Sequence, residues 1–382
     1  MSILNPTSYN YPTNVRFGEG VISELADYLI ANQLSKPLIA TDPNVAKLDF
    51  FHQIVADLQK RGISVEVFSD IHANPVKGDV LKGGEAFHAT NRDSVIGIGG
   101  GAGMDVERAI VLRVNHHRDL FDYDDLIGGD KYVTEEVPHF ITVPTTSGTG
   151  SEVGRSAIIS EDDTKRKRIL FAPKLMAKKV FADPALTYDL PPHITASTGM
   201  DAFTHNIEAF LAKGFHPMAD GIALEGIRLI TESIETATRN PTPESRAKMM
   251  IASLMGATAF QKGLGVVHSL AHPLSTLLDM HHGLANAINL PYGMRFNLSG
   301  FEEKFRMIAW AMNLKSDRPE SVIDALFELN TKLDIPHKLS EAGVKENHLE
   351  PLADLAIADF AHPNNPKPVS REDFRRLYEE AF

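Results

Sequence analysis

Residues 94–105 read SVIGIGGGAGMD, an apolar run followed by a cluster of glycines and the start of a helical pattern. Ser94–Ile98 predicts a buried strand, and the helix is predicted to begin near Met104. Glycines between a strand and a helix let the backbone approach a pyrophosphate, which the free N–H groups of the helix N-terminus can bind. The spacing differs from G-x-G-x-x-G, so the Rossmann fingerprint does not apply, and a simple tight turn is the alternative.

On either side of this stretch, the first half of the chain alternates between strand and helix patterns. Further strands are predicted at 37–41, 64–68 and 139–143, and helices at 50–61 and 80–90. Such alternation favours a parallel sheet covered on both faces by helices. After Pro191 strand patterns stop, and amphipathic helices are predicted at 198–212, 217–236, 243–262, 266–279, 303–313 and 320–333. We therefore predict an α/β dinucleotide-binding domain over residues 1–190 and an all-helical domain over 191–382.

Composition narrows the possible functions. The 382 residues carry a formal net charge of -12, which disfavours nucleic acid as a partner. The chain has no cysteine, so disulfides, thiolate metal sites and a cysteine nucleophile are excluded. Residues 1–20 lack the pattern of a signal peptide, and no apolar run reaches the roughly 18–20 residues needed to cross a bilayer. We expect a cytoplasmic protein that does not enter a membrane.

Two polar features in the first half suit a dinucleotide. Asp42 follows the strand at 37–41, where a carboxylate can bind an adenosine ribose and repel a 2′-phosphate, although it would also cap a helix well. The loop Pro144–Glu152, PTTSGTGSE, follows the strand at 139–143. Its hydroxyls and flexible backbone suit a cofactor or phosphate, and an ordinary polar turn is the alternative.

A cluster of metal-binding side chains marks the second half. Asp201 and His205 are four residues apart, which places both on one face of a helix, and His268 and His272 repeat that spacing. His281-His282 follows soon after. Nitrogen and oxygen donors of this kind suit Fe²⁺ or Zn²⁺, whereas isolated surface histidines are the alternative. Spacing alone does not choose between the two adjacent histidines.

Taken together, four segments resemble the iron-containing (group III) alcohol dehydrogenase family, whose architecture is related to dehydroquinate synthase. These segments are PTTSGTGSEV (144–153), TGMDAFTHNIEAF (198–210), GLGVVHSLAHPL (263–274) and HHGLANAINLPYGMRFN (281–297). The resemblance runs from Asn14 to Lys367 and implies the two domains predicted above. It also implies an NAD cofactor and a divalent ion, Fe²⁺ or alternatively Zn²⁺.

The resemblance assigns a role to individual residues. The implied metal ligands are Asp201, His205, His268 and His282; the last is chosen over its neighbour because the family's final ligand directly precedes a glycine. The implied cofactor-lining residues are Asp42, Asn74, Gly100, Gly101, Asp105, Thr145, Thr146, Lys167 and Leu186. Ala102 and Arg108 depart from the family's usual serine and lysine, which puts the details of cofactor affinity in question.

The implied activity is reversible hydride transfer between an alcohol and NAD. His272 is the candidate proton relay, or alternatively a support for a ligand. Residues 215–221 and 260–265 resemble the 4-hydroxybutyrate dehydrogenase branch, and His362 is a candidate for meeting a substrate carboxylate, unless it is merely solvated. A broad primary-alcohol or diol dehydrogenase is the alternative substrate class. A lyase on the related scaffold and a non-catalytic binding protein are the other readings, and the family suggests a homodimer or larger homo-oligomer.

Overall fold

The computed structural model describes residues 13–316 and 318–382. The expectation that no signal peptide is present concerns mainly residues 1–12, which lie outside the described residues. The described chain forms two compact units. One comprises Gly150–Thr187 and residues 13–146, and the other Ser147–Thr149 and Tyr188–Phe382. The domain limits 1–190 and 191–382 stay a prediction.

The first unit is built on a parallel six-stranded sheet. Its strands are β1 (Val15–Phe17), β2 (Pro37–Ala40), β3 (Glu66–Phe68), β4 (Ser94–Gly99), β5 (His139–Pro144) and β8 (Lys179–Ala182). Within the described residues, their order across the sheet is β1-β8-β5-β4-β2-β3. Its helices are α1 (Leu25–Ala31), α2 (Asp49–Lys60), α3 (Lys77–Ala89) and α4 (Gly101–Asn115). The predicted parallel sheet is confirmed.

Two apolar cores lie on opposite faces of this sheet. Because successive strand residues point to opposite faces, Leu38 packs with residues of α3 and α4, and Ile39 with residues of α1 and α2. The strand order reverses between β2 and β4, since β3 lies on one side of β2 and the later strands lie on the other. In open α/β sheets, ligands bind at the carboxyl ends of the strands beside such a reversal.

Several elements of this unit were not predicted. A separate antiparallel hairpin consists of β6 (Ser156–Ser160) and β7 (Lys167–Phe171). The edge strand β1 and the strand β8 are short, at 3 and 4 residues, which leaves too few positions for a periodic pattern to show. Helix α4 begins at Gly101 rather than near Met104, so the glycines form its first turn.

The second unit is helical throughout its described residues. Its helices are α5 (Pro192–Leu211), α6 (Pro217–Arg239), α7 (Pro243–Ala259), α8 (Val266–Leu278), α9 (His282–Leu298), α10 (Glu302–Ala311), α11 (Ser321–Lys332), α12 (Leu349–Ile357) and α13 (Arg371–Ala381). One continuous core unites them. Helices α9 and α12 were not predicted; α9 has apolar and small residues on all sides, and therefore shows little amphipathic period.

Among the described residues, no single helix is long and apolar enough to cross a membrane. The bent pair Pro243–Lys262 and Val266–Leu278, with an angle of 108° at the break, passes on length and composition when taken together. Buried core helices pass the same test, and both helices contribute to the core.

Candidate functional site

A glycine turn lies at the carboxyl edge of the sheet, between β4 and α4. The N–H of Thr145, just after β5, donates to the carbonyl of Gly99 at 2.9 Å. A Cβ on Gly100 would come within 3.3 Å of the Thr146 hydroxyl, so a larger residue would press on this turn. Gly101 opens α4. The structure therefore brings four of the predicted cofactor residues together at the carboxyl edge of neighbouring strands.

Asp42 lies beside this turn. Its Oδ1 accepts hydrogen bonds from the N–H groups of Asn44 and Val45, at 2.9 and 3.1 Å. Its Oδ2 would lie 3.7 Å from a Cβ on Gly99. Asp42 is not itself an N-cap, because Asn44 is the N-cap of the short 3-10 helix Val45–Lys47; its carboxylate instead holds the turn that leads into that helix. The second oxygen faces the glycine turn, and binding of a ribose there stays a prediction.

Asn74 lies in a loop that is held by a buried carboxylate. Asp79, at the start of α3, accepts hydrogen bonds from the N–H groups of His72 and Val76, at 3.2 and 3.1 Å. These two donors flank Asn74 on both sides, so Asp79 fixes the loop that presents it. Asp79 was not identified in the sequence, where an aspartate in a first helical turn is unremarkable.

Asp105 ties α4 to the β6–β7 hairpin. Its carboxylate accepts the hydroxyl of Ser151 at 2.7 Å and the N–H of Ile158 at 3.2 Å, while burial raises its pKa. Lys167, on β7, is close enough to oppose that rise in pKa. Arg108 is fully buried and donates to the Leu175 carbonyl at 3.0 Å.

Arg108 also donates to the carbonyls of Ser151 and Ser156 at 2.6 and 2.7 Å. Arg108, which stands where the family usually has lysine, therefore connects α4 to the β6–β7 hairpin from the buried side. Leu186 is buried in the core on the α1 and α2 face of the sheet. Contact of Asp105, Lys167 and Leu186 with a cofactor stays a prediction.

The second unit brings the predicted metal ligands together. Asp201 and His205 are buried on one face of α5, as their spacing predicted. Asp201 Oδ1 lies 3.9 Å from Nε2 of His205, 4.0 Å from Nε2 of His268 and 3.5 Å from Nε2 of His282. The side chain of His282 is 27% exposed, so this side of the cluster is open. The adjacent His281 is exposed and forms the N-cap of α9.

A buried glutamate orients one of these histidines. Glu208 Oε2 accepts the Nδ1–H of His268 at 2.7 Å and the N–H of Gly265 at 3.0 Å, and Oε1 accepts the N–H of Val267 at 2.7 Å. Because an ionised carboxylate only accepts, Nδ1 carries the proton and Nε2 keeps its lone pair toward Asp201. Sequence reasoning missed Glu208, although it lies seven residues after Asp201 on the same face of an apolar helix.

The donor set suits a divalent cation. Three imidazole nitrogens and one carboxylate converge in a mostly buried space, and burial lowers the pKa of His205 to about 4, which keeps it neutral. The amide nitrogen of Asn286 lies 2.7 Å from Asp201 Oδ1, and 3.3 and 3.1 Å from Nε2 of His268 and His282. One donor group thus lies against three acceptor atoms, and two amide hydrogens cannot satisfy all of them. A cation bound by these lone pairs would satisfy them together.

His272 lies beside this cluster, one turn after His268 on α8. Its Nδ1 is 2.7 Å from Oδ2 of Asp359. Burial acts to raise the pKa of Asp359, but His272, the Ser269 hydroxyl and the Ala361 N–H together lower it. Asp359 is therefore ionised and accepts the proton of Nδ1. Nothing in the local sequence around Asp359 indicated this contact.

His362, the candidate for a substrate carboxylate, is tied to its own unit. Its Nε2 lies 3.0 Å from the Ile357 carbonyl, and its ring packs edge-on against the buried Phe374, with the two ring centroids 5.4 Å apart. These contacts leave only Nδ1 of the His362 ring for a ligand. A role in substrate binding stays a prediction.

Two matches to known families cover nearly the whole chain. Residues 12–184 match the family described as iron-containing alcohol dehydrogenase, and residues 195–382 match the C-terminal part of the Fe-containing alcohol dehydrogenase family. The chain belongs to the iron-containing alcohol dehydrogenase family. It is accordingly an oxidoreductase, and the resemblance inferred from its four motifs is confirmed.

Individual proteins are similar to this chain over nearly their full length. The 4-hydroxybutyrate dehydrogenase of Cupriavidus necator is 36% identical, over 97% of this chain and 99% of that protein. A crystal structure of 1,3-propanediol oxidoreductase has a TM-score of 0.95 at 32% identity, covering 99% of this chain and 100% of that one. Sulfoacetaldehyde reductase from Bifidobacterium kashiwanohense, solved with NAD+, has a TM-score of 0.87 at 25% identity, covering 98% of each chain.

Proposed function

We propose that this protein is an NAD-dependent, metal-dependent dehydrogenase that interconverts a small primary alcohol or ω-hydroxy acid, such as 4-hydroxybutyrate, and its aldehyde. The observation that carries the proposal is the convergence of Asp201, His205, His268 and His282 in a chain of this family. The similarity to 4-hydroxybutyrate dehydrogenase supports the ω-hydroxy acid. Small primary alcohols and diols are the alternative, supported by the similarity to 1,3-propanediol oxidoreductase.

The four converging side chains would hold Fe²⁺ or, alternatively, Zn²⁺, since nitrogen and oxygen donors serve both ions. When bound, the ion supplies a Lewis acid and the nicotinamide supplies a hydride acceptor. The protein itself holds the ligand side chains in the tautomer and protonation state that can bind a metal ion. Glu208 keeps the lone pair of His268 directed at the site, and burial keeps His205 neutral.

His272 would take up the proton of the substrate hydroxyl. Its Nδ1–H donates to Asp359, so Nε2 is the atom that can accept a proton. Its side chain is 16% exposed, which leaves access for a small substrate. Proton transfer by a positioned imidazole typically contributes about 10²–10⁴-fold to a rate.

NAD is the proposed cofactor, bound at the carboxyl edge of the parallel sheet. The glycine turn at 99–103 would receive the pyrophosphate, and Asp42 would accept hydrogen bonds from the adenosine ribose. Because a 2′-phosphate would meet the Asp42 carboxylate, NAD should give a higher kcat/KM than NADP. Steady-state kinetics with each cofactor measure this ratio, and a clear preference for NADP would overturn the assignment.

The two stretches that resemble the 4-hydroxybutyrate branch meet in the structure. Lys262 contacts the carboxylate of Asp220 and donates to the Phe210 carbonyl at 3.0 Å. Its ammonium group is therefore used inside the helical unit, which argues against Lys262 as the group that binds a substrate carboxylate. We further propose a cytoplasmic enzyme that works as a homodimer or larger homo-oligomer, without nucleic acid or membrane partners.

The deciding experiment measures NAD reduction by the iron-loaded and the zinc-loaded protein, each with 4-hydroxybutyrate, 1,3-propanediol and butan-1-ol. Butan-1-ol matches the first substrate in chain length but lacks the carboxylate, and is the control for carboxylate recognition. A higher kcat/KM for 4-hydroxybutyrate than for butan-1-ol supports the ω-hydroxy acid. The reverse order supports the alcohol or diol class, and absence of NADH with all three substrates and both metals would contradict the proposed activity.

A further inference from the structure

Helix α8 presents His272 to a short segment, residues 359–362, that follows α12. Two adjacent residues of this segment hold the ring in different ways. Asp359 accepts the Nδ1–H at 2.7 Å, and the ring of Phe360 stacks on one face, with a centroid distance of 5.2 Å and an interplanar angle of 27°. The ring of His282 stacks on His272 as well, at 5.2 Å and 13°. The imidazole is thus held at one edge by a hydrogen bond and is stacked against two rings.

The carboxylate of Asp359 is itself held in place. Its Oδ1 accepts the Ser269 hydroxyl at 2.6 Å and the Ala361 N–H at 2.9 Å, and Ser269 Oγ accepts the His362 N–H at 2.9 Å. Ser269 precedes His272 by three residues, so both contacts fall on one face of α8. These bonds leave Oδ2 directed at the ring of His272.

The segment is anchored further along by Asn365, which is fully buried. Asn365 Oδ1 accepts the N–H of Val266 at 3.1 Å, and its amide pairs with that of Asn297 at 2.9 and 2.8 Å. The position of Asp359 relative to α8 is therefore set at both ends of the loop. A carboxylate fixed in this way selects one tautomer of the ring it contacts, because it can only accept.

We propose that Asp359 and Phe360 form a clamp that fixes the tautomer and ring plane of His272, so that Nε2 is the proton acceptor for the substrate hydroxyl. Asp359 and Phe360 are positioning residues, since they act through His272. This inference rests on the proposed function only for the step in which His272 takes the proton. The tautomer itself is a property of the protein and can be tested without turnover.

The first experiment is a double-mutant cycle on the metal-loaded enzyme with Asp359→Asn, His272→Ala and the double variant. Asparagine keeps the shape, and its Oδ1 can still accept from Ser269, but its amide nitrogen would donate to Nδ1 and move the ring proton to Nε2. We expect kcat to fall by about 10²-fold or more with the KM for NAD and the metal content unchanged. The double variant should be no slower than His272→Ala, because the two residues act as one unit.

The matched control is Asp354→Asn, the same change at a side chain that is 62% exposed on α12, for which we expect an unchanged kcat. A double variant whose loss is the product of the two single losses would overturn the proposal, as would an Asp359→Asn enzyme with wild-type kcat.

The second experiment reads the tautomer directly and does not depend on activity. ¹⁵N NMR of the zinc-loaded protein labelled at histidine, with His272→Gln used to assign the signal, should show the proton on Nδ1 in the wild type and on Nε2 in Asp359→Asn. Phe360→Leu keeps the hydrogen bond and should leave the tautomer unchanged while lowering kcat. A wild-type ring protonated on Nε2 refutes the clamp. A wild type with the predicted tautomer and no activity on any alcohol refutes the proposed function and leaves the clamp standing.

Discussion

Glu208→Gln is the sharpest test of how the helical unit prepares its metal site. All the partners of the Glu208 carboxylate are hydrogen-bond donors: three backbone N–H groups at the start of α8, and the Nδ1–H of His268. Glutamine has the same shape but replaces one acceptor oxygen with a donor NH₂ group. In either orientation of the amide, this NH₂ group must face at least one donor inside the protein.

The less costly orientation places the amide nitrogen at the position of Oε1, opposite the N–H of Val267 at 2.7 Å. One buried donor is then unsatisfied, which costs about 1–3 kcal/mol, and the remaining bonds lose the assistance of the charge. The opposite orientation would place the nitrogen against three donors, unless His268 changes tautomer. That change would move a proton onto Nε2, the atom that faces Asp201.

We therefore expect Glu208→Gln to lower the free energy of unfolding of the metal-free protein by about 1–3 kcal/mol, and its affinity for Zn²⁺ by about 10–100-fold. Urea unfolding in the presence of a chelator measures the first quantity, and competition with a chromophoric chelator measures the second. Glu303→Gln, at a side chain that is 82% exposed on α10, is the control and should change neither. Unchanged zinc affinity in Glu208→Gln would refute the argument that the charge of this carboxylate strengthens His268 as a metal ligand.

Three further predictions concern other parts of the chain. His268→Ala should lose bound metal and activity together, as measured by elemental analysis and NADH formation; full activity without metal would contradict the site. Gly97→Ala should lower the free energy of unfolding, measured with urea, by about 1–3 kcal/mol, because the new Cβ would press on the buried Glu107 side chain. Adding Glu107→Ala to this variant should restore the loss. A Gly97→Ala variant as stable as wild type would contradict this contact. Burial raises the pKa of Glu152 to about 7, so the unfolded chain releases this proton first as pH rises. The contribution of Glu152 to the free energy of unfolding should fall by about 3 kcal/mol between pH 4.5 and 7, and Glu152→Gln should remove this contribution; identical pH profiles of the two proteins in urea unfolding would exclude it.

The sequence predicts most of the fold because its strongest signals are periodic. Buried parallel strands such as β4 appear as continuous apolar runs, and helices such as α6 have one apolar face over many turns. The elements that were missed lack such a period. Strand β1 has three residues, and α9 carries small and apolar residues on every side, so neither shows an alternation that could be recognised.

The residues of the candidate site likewise fall into those that sequence spacing groups together and those that it does not. Asp201 and His205 are neighbours along one helix, so spacing alone places them together. Asp359 lies far from His272 in the sequence, and their contact depends on how the closing loop is anchored to α8. Long-range contacts of this kind leave no local pattern, and only the packing of the helices reveals them. Glu208 falls between the two cases, since its position on the face of α5 was visible while its partners on α8 were not.

The starts of α4 and α8 show how one structural feature can support two kinds of chemistry. Both helices begin after glycine, and both therefore present free N–H groups. At α8 these donors are taken by Glu208 and Asn365, so the helix end fixes a carboxylate that in turn orients a metal ligand. At α4, among the described residues, no side chain accepts from the N–H groups of the first turn, and that turn remains able to bind an anion from outside. The difference favours phosphate binding at α4 alone, because an anion at α8 would have to displace a buried glutamate.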